Sequence, residues 1–262
     1  MPHRNWLDLT SEDFTKLDAA RTIVVLPVAA VEQHGPHLPV STDTTIADGM
    51  IAEVQKHPME DADVLFLPVQ CVGKSNEHIR SPGTLTLGAE TAIRAWTEIG
   101  ESIARAGLRK LVLVNSHGGN VDVLSIVARE LRLRCQMLCV HTHWAKFGLP
   151  ENMFGEEEIR FGIHAGDIET SLMLHFRPDL VKMNRLENFV SSGVAMEKDF
   201  AILRPGGPAP FGWIAQDLHS SGAVGNASLA TAQKGSAIAA LEAKGFVALL
   251  ADMAKFDLTN LA

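Results

Sequence analysis

Thr22-Ile23-Val24-Val25-Leu26-Pro27-Val28 is an unbroken apolar run rich in β-branched residues. It shows no in–out alternation, which predicts a strand covered on both faces, as in a parallel sheet. Val64-Leu65-Phe66-Leu67-Pro68-Val69 and Lys110-Leu111-Val112-Leu113-Val114-Asn115 repeat the pattern, and 136–141 reads as a fourth strand. Between them lie helical spacings. Ile46, Met50, Ile51 and Val54 mark a helix over 43–56, and 89–106 forms a long one closed by Gly107. Residues 121–133, 167–175 and 231–256 read as further helices. Strands alternating with helices predict an α/β fold: a three-layer α/β/α sandwich around a mostly parallel sheet. With no repeat and no convincing linker, residues 1–262 read as a single domain.

In such folds ligands gather beyond the carboxyl ends of the strands. Glu32 and His34 follow the first strand, the loop 73–83 the second, Asn115 and His117 the third, and His141 and His143 the fourth. The groups able to do chemistry therefore converge on one rim. Glu32 and His34 are one residue apart, so in extended backbone they share a face. Asp43 stands at or just before the next helix, where a capping role competes with a metal-binding one. His117 precedes Gly118-Gly119, where backbone can approach a ligand closely, and Asn115 is placed to orient that turn.

Mixed carboxylate and imidazole ligands suit borderline divalent metals such as zinc, and two ions sharing a carboxylate can activate water for hydrolysis. Glu169 is a carboxylate in an otherwise apolar helix. It calls for a cation, either a metal or an arginine such as Arg177. His164, before the Gly166 break, is placed to carry protons, and Asp167 reads as a helix cap. Gly118-Gly119-Asn120 before a helix also admits phosphate binding, but without a Walker lysine or a dinucleotide glycine pattern. His141-x-His143 lacks a third ligand nearby. His37, His57, His175 and His219 have no ligand-like company.

Composition narrows the class. The net charge of −8 argues against nucleic-acid and anionic-membrane partners. No apolar run is long enough to span a bilayer, and residues 1–15 lack a secretory layout. Cys71, Cys135 and Cys139 are odd in number, in apolar surroundings, and read as reduced structural thiols in a cytoplasmic protein.

Taken together, Glu32-x-His34, Asp43, Asn115-x-His117-Gly118-Gly119-Asn120 and His164-Ala165-Gly166-x-x-Glu169-Thr170-Ser171 resemble the creatininase (creatinine amidohydrolase) family. Ser75-Asn76-Glu77-His78 with Ser81-Pro82-Gly83-Thr84 resembles that family's loop after the second strand. The resemblance implies a creatininase-like fold, two divalent metals (zinc foremost, or manganese or iron), hydrolysis of amide bonds, and a homohexamer. Carried over by position, Glu32, His34, Asp43, His117 and Glu169 hold metals, Asp43 bridging, and His164 is the catalytic histidine. Glu77, His78, Asn115, Gly118, Gly119 and His143 then surround substrate or support the ligands.

One departure bears on substrate. Creatinine-hydrolysing members carry an aromatic residue and a glutamate where this chain has Gly118 and Gly119. The missing carboxylate leaves Glu169 to complete the second metal site, and their substrate-flanking tryptophan has no counterpart near Arg160. The Gly-Gly form resembles relatives that act on formamides and peptides. The expectation is a metal-dependent amidohydrolase for a small amide, lactam or formamide, with a non-catalytic metal-dependent sensor or assembly protein as the alternative. The loop 201–214 is a candidate lid or subunit contact, with Phe211 and Trp213 as a substrate wall.

Overall fold

The computed structural model describes residues 4–58 and 63–261; residues 1–3, 59–62 and 262 of the expected domain lie outside them. Strands β1 (Arg4–Asn5), β2 (Thr22–Val28), β3 (Asp63–Phe66), β4 (Lys110–Asn115) and β5 (Leu138–His143) form one sheet in the order β1-β3-β2-β4-β5. Every neighbouring pair is parallel. β2 and β4 are buried at every position. Their continuous apolar runs reflect two covered faces.

The helices are α1 (Ser11–Phe14), α2 (Thr42–Gln55), α3 (Ala89–Arg105), α4 (Val121–Cys135), α5 (Glu156–Phe161), α6 (Asp167–Phe176), α7 (Ser192–Asp199), α8 (Ala215–Leu218) and α9 (Ala232–Lys255). Alternate strand residues serve opposite layers. Ile23, Val25, Val112 and Val114 pack with Ile46 and Met50 of α2, Leu172 and Met173 of α6, and Ile238 and Phe246 of α9. Val24, Leu26, Leu111 and Leu113 pack with Trp96 and Ile103 of α3 and Leu124 and Leu131 of α4. Each such side chain withdrawn from water contributes about 1.5–3 kcal/mol before entropy is charged against it. The three-layer α/β/α expectation holds. No helix among the described residues is long and apolar enough to cross a membrane.

Two strand boundaries depart from expectation. β3 ends at Phe66 rather than Val69, because Pro68 has no N–H for the ladder. The chain still follows β2, with Gln70 N donating to Pro27 O at 2.9 Å. β5 begins at Leu138 rather than residue 136: α4 runs on to Cys135, and Gln136 turns it with φ 53°. The later start carries the strand through His143, which lies beside Asn115 of β4. The short helices α1, α5, α7 and α8 and the antiparallel pair β6 (Asn188–Phe189) and β7 (Gly225–Asn226) were not anticipated. Cys71 is exposed rather than in apolar surroundings.

Candidate metal centre

Beyond β2 the chain stops being a strand and turns at Gly35, φ 68°. Glu32 and His34 are thereby pushed under the sheet's carboxyl edge, both buried. The backbone carbonyl of Glu32 accepts the Nδ1–H of His34 at 3.0 Å, which leaves His34 Nε2 to face the cluster. That nitrogen stands 3.2 Å from Asp43 Oδ1 and 3.9 Å from Glu169 Oε2. Asp43 is not a cap: it is the second residue of α2, and no side chain caps that helix. Its other oxygen faces His117 Nδ1 at 3.4 Å, so one carboxylate stands between two imidazoles.

His117 follows β4 and is held by Asn115, whose Oδ1 accepts His117 N at 3.1 Å and whose Nδ2 donates to His117 O. His117 Nδ1 lies 3.1 Å from Glu32 Oε1. Glu77, from the loop after β3, brings Oε1 to 3.2 Å from His117 Nε2. His78 Nε2 is 3.3 Å and His164 Nδ1 3.6 Å from Glu32 Oε1. Glu169 projects from the first turn of α6 and accepts the Ala165 N–H. It is not paired with Arg177, which is engaged by Asp179 at 2.7 Å. Asp167 is not a cap either: it is buried, paired with Lys234, and accepts Ser171 Oγ–H at 3.0 Å.

Among the described residues, three sets of potential ligand atoms each lie within 4.8 Å of one another: Glu32–His34–His164, Glu32–Glu77–His117 and His34–Asp43–Glu169. Glu32 Oε1 and Oε2, His34 Nε2 and Asp43 Oδ2 are buried with no hydrogen-bond partner. Buried polar atoms normally have one, and converging orphaned nitrogen and oxygen donors fit a divalent cation.

The electrostatics agree. Burial opposes ionisation of Glu32, but His117, His164 and His78 hold it well below the usual carboxylate range. Burial lifts Asp43, and it lifts Glu169 to about 7. Burial also works against charging His34 and His117, yet Asp43 leads a set of carboxylates that raise His34 to about 9, and Glu32 raises His117 further. Protons on those two rings are the positive charge the chain itself can offer. A divalent ion held here would offer more and displace them, releasing protons as it bound.

The cluster's other two histidines, His78 and His164, are held toward the neutral form. Burial takes His78 to about 4, and burial with His34 and His78 holds His164 well below its ordinary value. Gln33, unremarked in the sequence, sets both tautomers. Its side-chain nitrogen donates to Gly222 O at 2.9 Å and to His78 Nδ1 at 2.7 Å, and its backbone carbonyl accepts His164 Nε2–H at 2.7 Å. His164 Nδ1 therefore faces the cluster as an acceptor. Strand alternation would have turned Gln33 away from its neighbours, and only the break after β2 brings it in.

Two cavities meet at His164 and Glu169. One, of about 400 Å³, is lined by Glu77, His78, Gly118, Gly119, Phe211 and Trp213. The other, of about 210 Å³, is lined by Ser116, His143, Trp144, Glu158 and Glu242. His141 is exposed on β5, and His37 instead meets Thr170 Oγ1 at 3.0 Å. His219 is bonded to Ser221, and His175 lies 3.7 Å from Glu53.

Comparison with known proteins agrees with this frame. The family model described as creatininase, creatinine amidohydrolase, matches residues 7–250. A mycofactocin precursor peptide peptidase of Mycobacterium tuberculosis is 31% identical over 234 residues, covering 87% of this chain and 84% of that protein. Creatinine amidohydrolase of Pseudomonas putida is 31% identical over 196 residues, covering 68% of this chain and 74% of its own. A provisionally assigned creatinine amidohydrolase from Bacteroides fragilis superposes with TM-score 0.78 at 23% identity, over 98% of both chains. Solved creatininases of this fold include a manganese form and a zinc–zinc form. With the family's fold and a convergent carboxylate–imidazole cluster at the rim of its sheet, the chain belongs to the creatininase family.

Proposed function

We propose that the protein is a metal-dependent amidohydrolase that cleaves a C–N bond in a small amide carrying groups on both sides of the scissile bond. The observation that carries this reading is Asp43 standing between His34 and His117, one oxygen toward each, with His164 facing the same cluster. Glu32, His34, Asp43, His117 and Glu169 would hold two divalent ions, manganese or zinc as in the solved relatives, with Asp43 shared. When bound, the ions supply Lewis-acid polarisation of the substrate carbonyl and an acidified water.

The chain's own residues do the rest. His164 Nε2–H is committed to the Gln33 carbonyl, so Nδ1 is the atom that takes up a proton. A neutral imidazole can accept a proton from the attacking water and return it to the departing nitrogen. His164 thus donates only after it has accepted. Phe211 and Trp213 wall one side of the centre and Trp144 lines the other. Space on both flanks suits a peptide-like substrate better than a compact ring or a formamide, whose acyl side is a single hydrogen. The protein is read as cytoplasmic from its free cysteines and as homo-oligomeric from the family resemblance.

The test is a panel of creatinine, simple lactams, formamides and short peptides, assayed on chelated protein and after manganese or zinc is restored. Metal-dependent turnover that His164→Ala lowers at least ~100-fold with unchanged metal content is the expected result. Metal binding with no turnover across the panel would favour a sensor or assembly protein on the same scaffold.

A further inference from the structure

Glu77 and Gly119 meet at the far edge of the His117 ring, away from Asp43. His117 Nδ1 looks toward Glu32 and Asp43, whereas Nε2 looks into the loop after β3. There it finds Glu77 Oε1 at 3.2 Å, Ser75 Oγ at 3.2 Å and the Lys74 carbonyl at 3.1 Å. A carbonyl and a carboxylate can only accept, so Nε2 carries a proton; the proton that Nδ1 holds against Glu32 and Asp43 is the one a bound metal would displace. Lys74 Nζ holds the second oxygen of Glu77 at 3.4 Å, fixing the carboxylate from behind.

Gly119 shapes the same spot. A β-carbon there would overlap Glu77 Oε1 and Lys74 O and stand 2.5 Å from His117 Nε2. The residue before it differs, because a β-carbon on Gly118 meets nothing within 4 Å. Gly119 has no positive φ, so the demand for glycine is one of space and not of backbone conformation.

We infer that Glu77 is a positioning residue for the metal ligand His117. Its carboxylate accepts the Nε2–H and aims Nδ1 at the cluster, and Gly119 keeps open the space that carboxylate occupies. The inference rests on the metal-centre reading above and deepens it. Outer carboxylates on ligating histidines fix the tautomer and raise ligand basicity, and losing one typically costs about 10–100-fold in metal affinity.

The test measures binding, not turnover. Full-length wild type, Glu77→Ala, Glu77→Gln and Gly119→Ala are stripped of metal and titrated with zinc or manganese alone against a chelating dye. Glu77→Ala is expected to weaken binding about 10–100-fold, while Glu77→Gln, whose amide oxygen can still accept, stays within a few-fold of wild type. Gly119→Ala should weaken binding like Glu77→Ala, and the double variant should lose less than the sum of the two. In nitrogen-15 spectra of the zinc form, the His117 Nε2–H should show the shift of a proton bonded to a carboxylate in wild type and lose that shift in Glu77→Ala.

Wild-type affinity in Glu77→Ala would overturn the inference. Equal losses in Glu77→Gln and Glu77→Ala would also overturn it, by making Glu77 a direct ligand. A wild-type chain that binds metal but hydrolyses no amide would sink the hydrolase reading alone.

Discussion

Glu242 sits on α9, 2% exposed, and its Oε2 has no hydrogen-bond partner. It lines the smaller cavity with Trp144 and Ser116, whose Nε1 and Oγ are equally unpartnered. Burial pushes its carboxyl up to about 8. Below about pH 4.5 both folded and unfolded chains carry the proton. Between there and pH 8 the unfolded chain releases it and the folded one keeps it, so stability falls as pH rises. The loss reaches on the order of 5 kcal/mol at the upper end, less whatever cavity water recovers. Glu242→Gln removes this dependence, and its Tm advantage over wild type should widen between pH 5 and pH 8. A constant difference would show that the carboxyl is solvated in the fold. Asp43→Ala acts differently. With neither oxygen left between His34 and His117, elemental analysis should find the bound metal lost, and a fully metallated variant would sink the bridging role.

At the scale of elements, the tightest fit is between α6 and α9. A β-carbon on Gly235 would overlap the carbonyl of Ser171 and stand 2.9 Å from His175 Cβ. Alanine in a helix interior gains up to about 1 kcal/mol over glycine. Here it must push α9 off α6, which carries Glu169, and overpacking against backbone typically costs about 1–3 kcal/mol or more. Gly235→Ala should therefore lower the urea midpoint, whereas Gly118→Ala, with open space around it, should leave the midpoint nearly unchanged. A stabilised Gly235→Ala would mean the two helices separate more easily than their packing indicates.

Elements of this kind were legible to different degrees. β2, β4, α3 and α9 were readable to within two residues because long one-character runs reveal their period. The short helices α5, α7 and α8 were not, since four to eight residues hold too few turns for a period to show. The β5 boundary was misplaced because a left-handed Gln136 is invisible in a list of residues.

For the whole molecule, the centre is a concentration of negative charge in a chain already at −8. Glu32, Asp43, Glu77 and Glu169 gather there, with protonated His34 and His117 as partial compensation. An ion that binds only the folded state stabilises it by RT ln(1 + [L]/Kd), about 2.7 kcal/mol at a hundredfold excess over Kd. Chelation should therefore lower Tm by several degrees at neutral pH, and added manganese or zinc should restore it. A Tm unchanged by chelator would separate the cluster from metal binding.

The sequence by itself determined the layer architecture, because two-faced burial writes itself into runs such as 22–28 and 110–115. It also supplied the basis of the chemistry proposed, because Glu32, His34, Asp43, His117 and Glu169 are of the residue types that ligate divalent ions. Only the tertiary structure decided how those groups face one another. Which nitrogen of His164 is free depends on the Gln33 carbonyl, and what takes up the space beside Gly119 depends on a loop some forty positions earlier. Such relations are set by distances of about 3 Å between side chains remote in the chain, and no local pattern of residues encodes them.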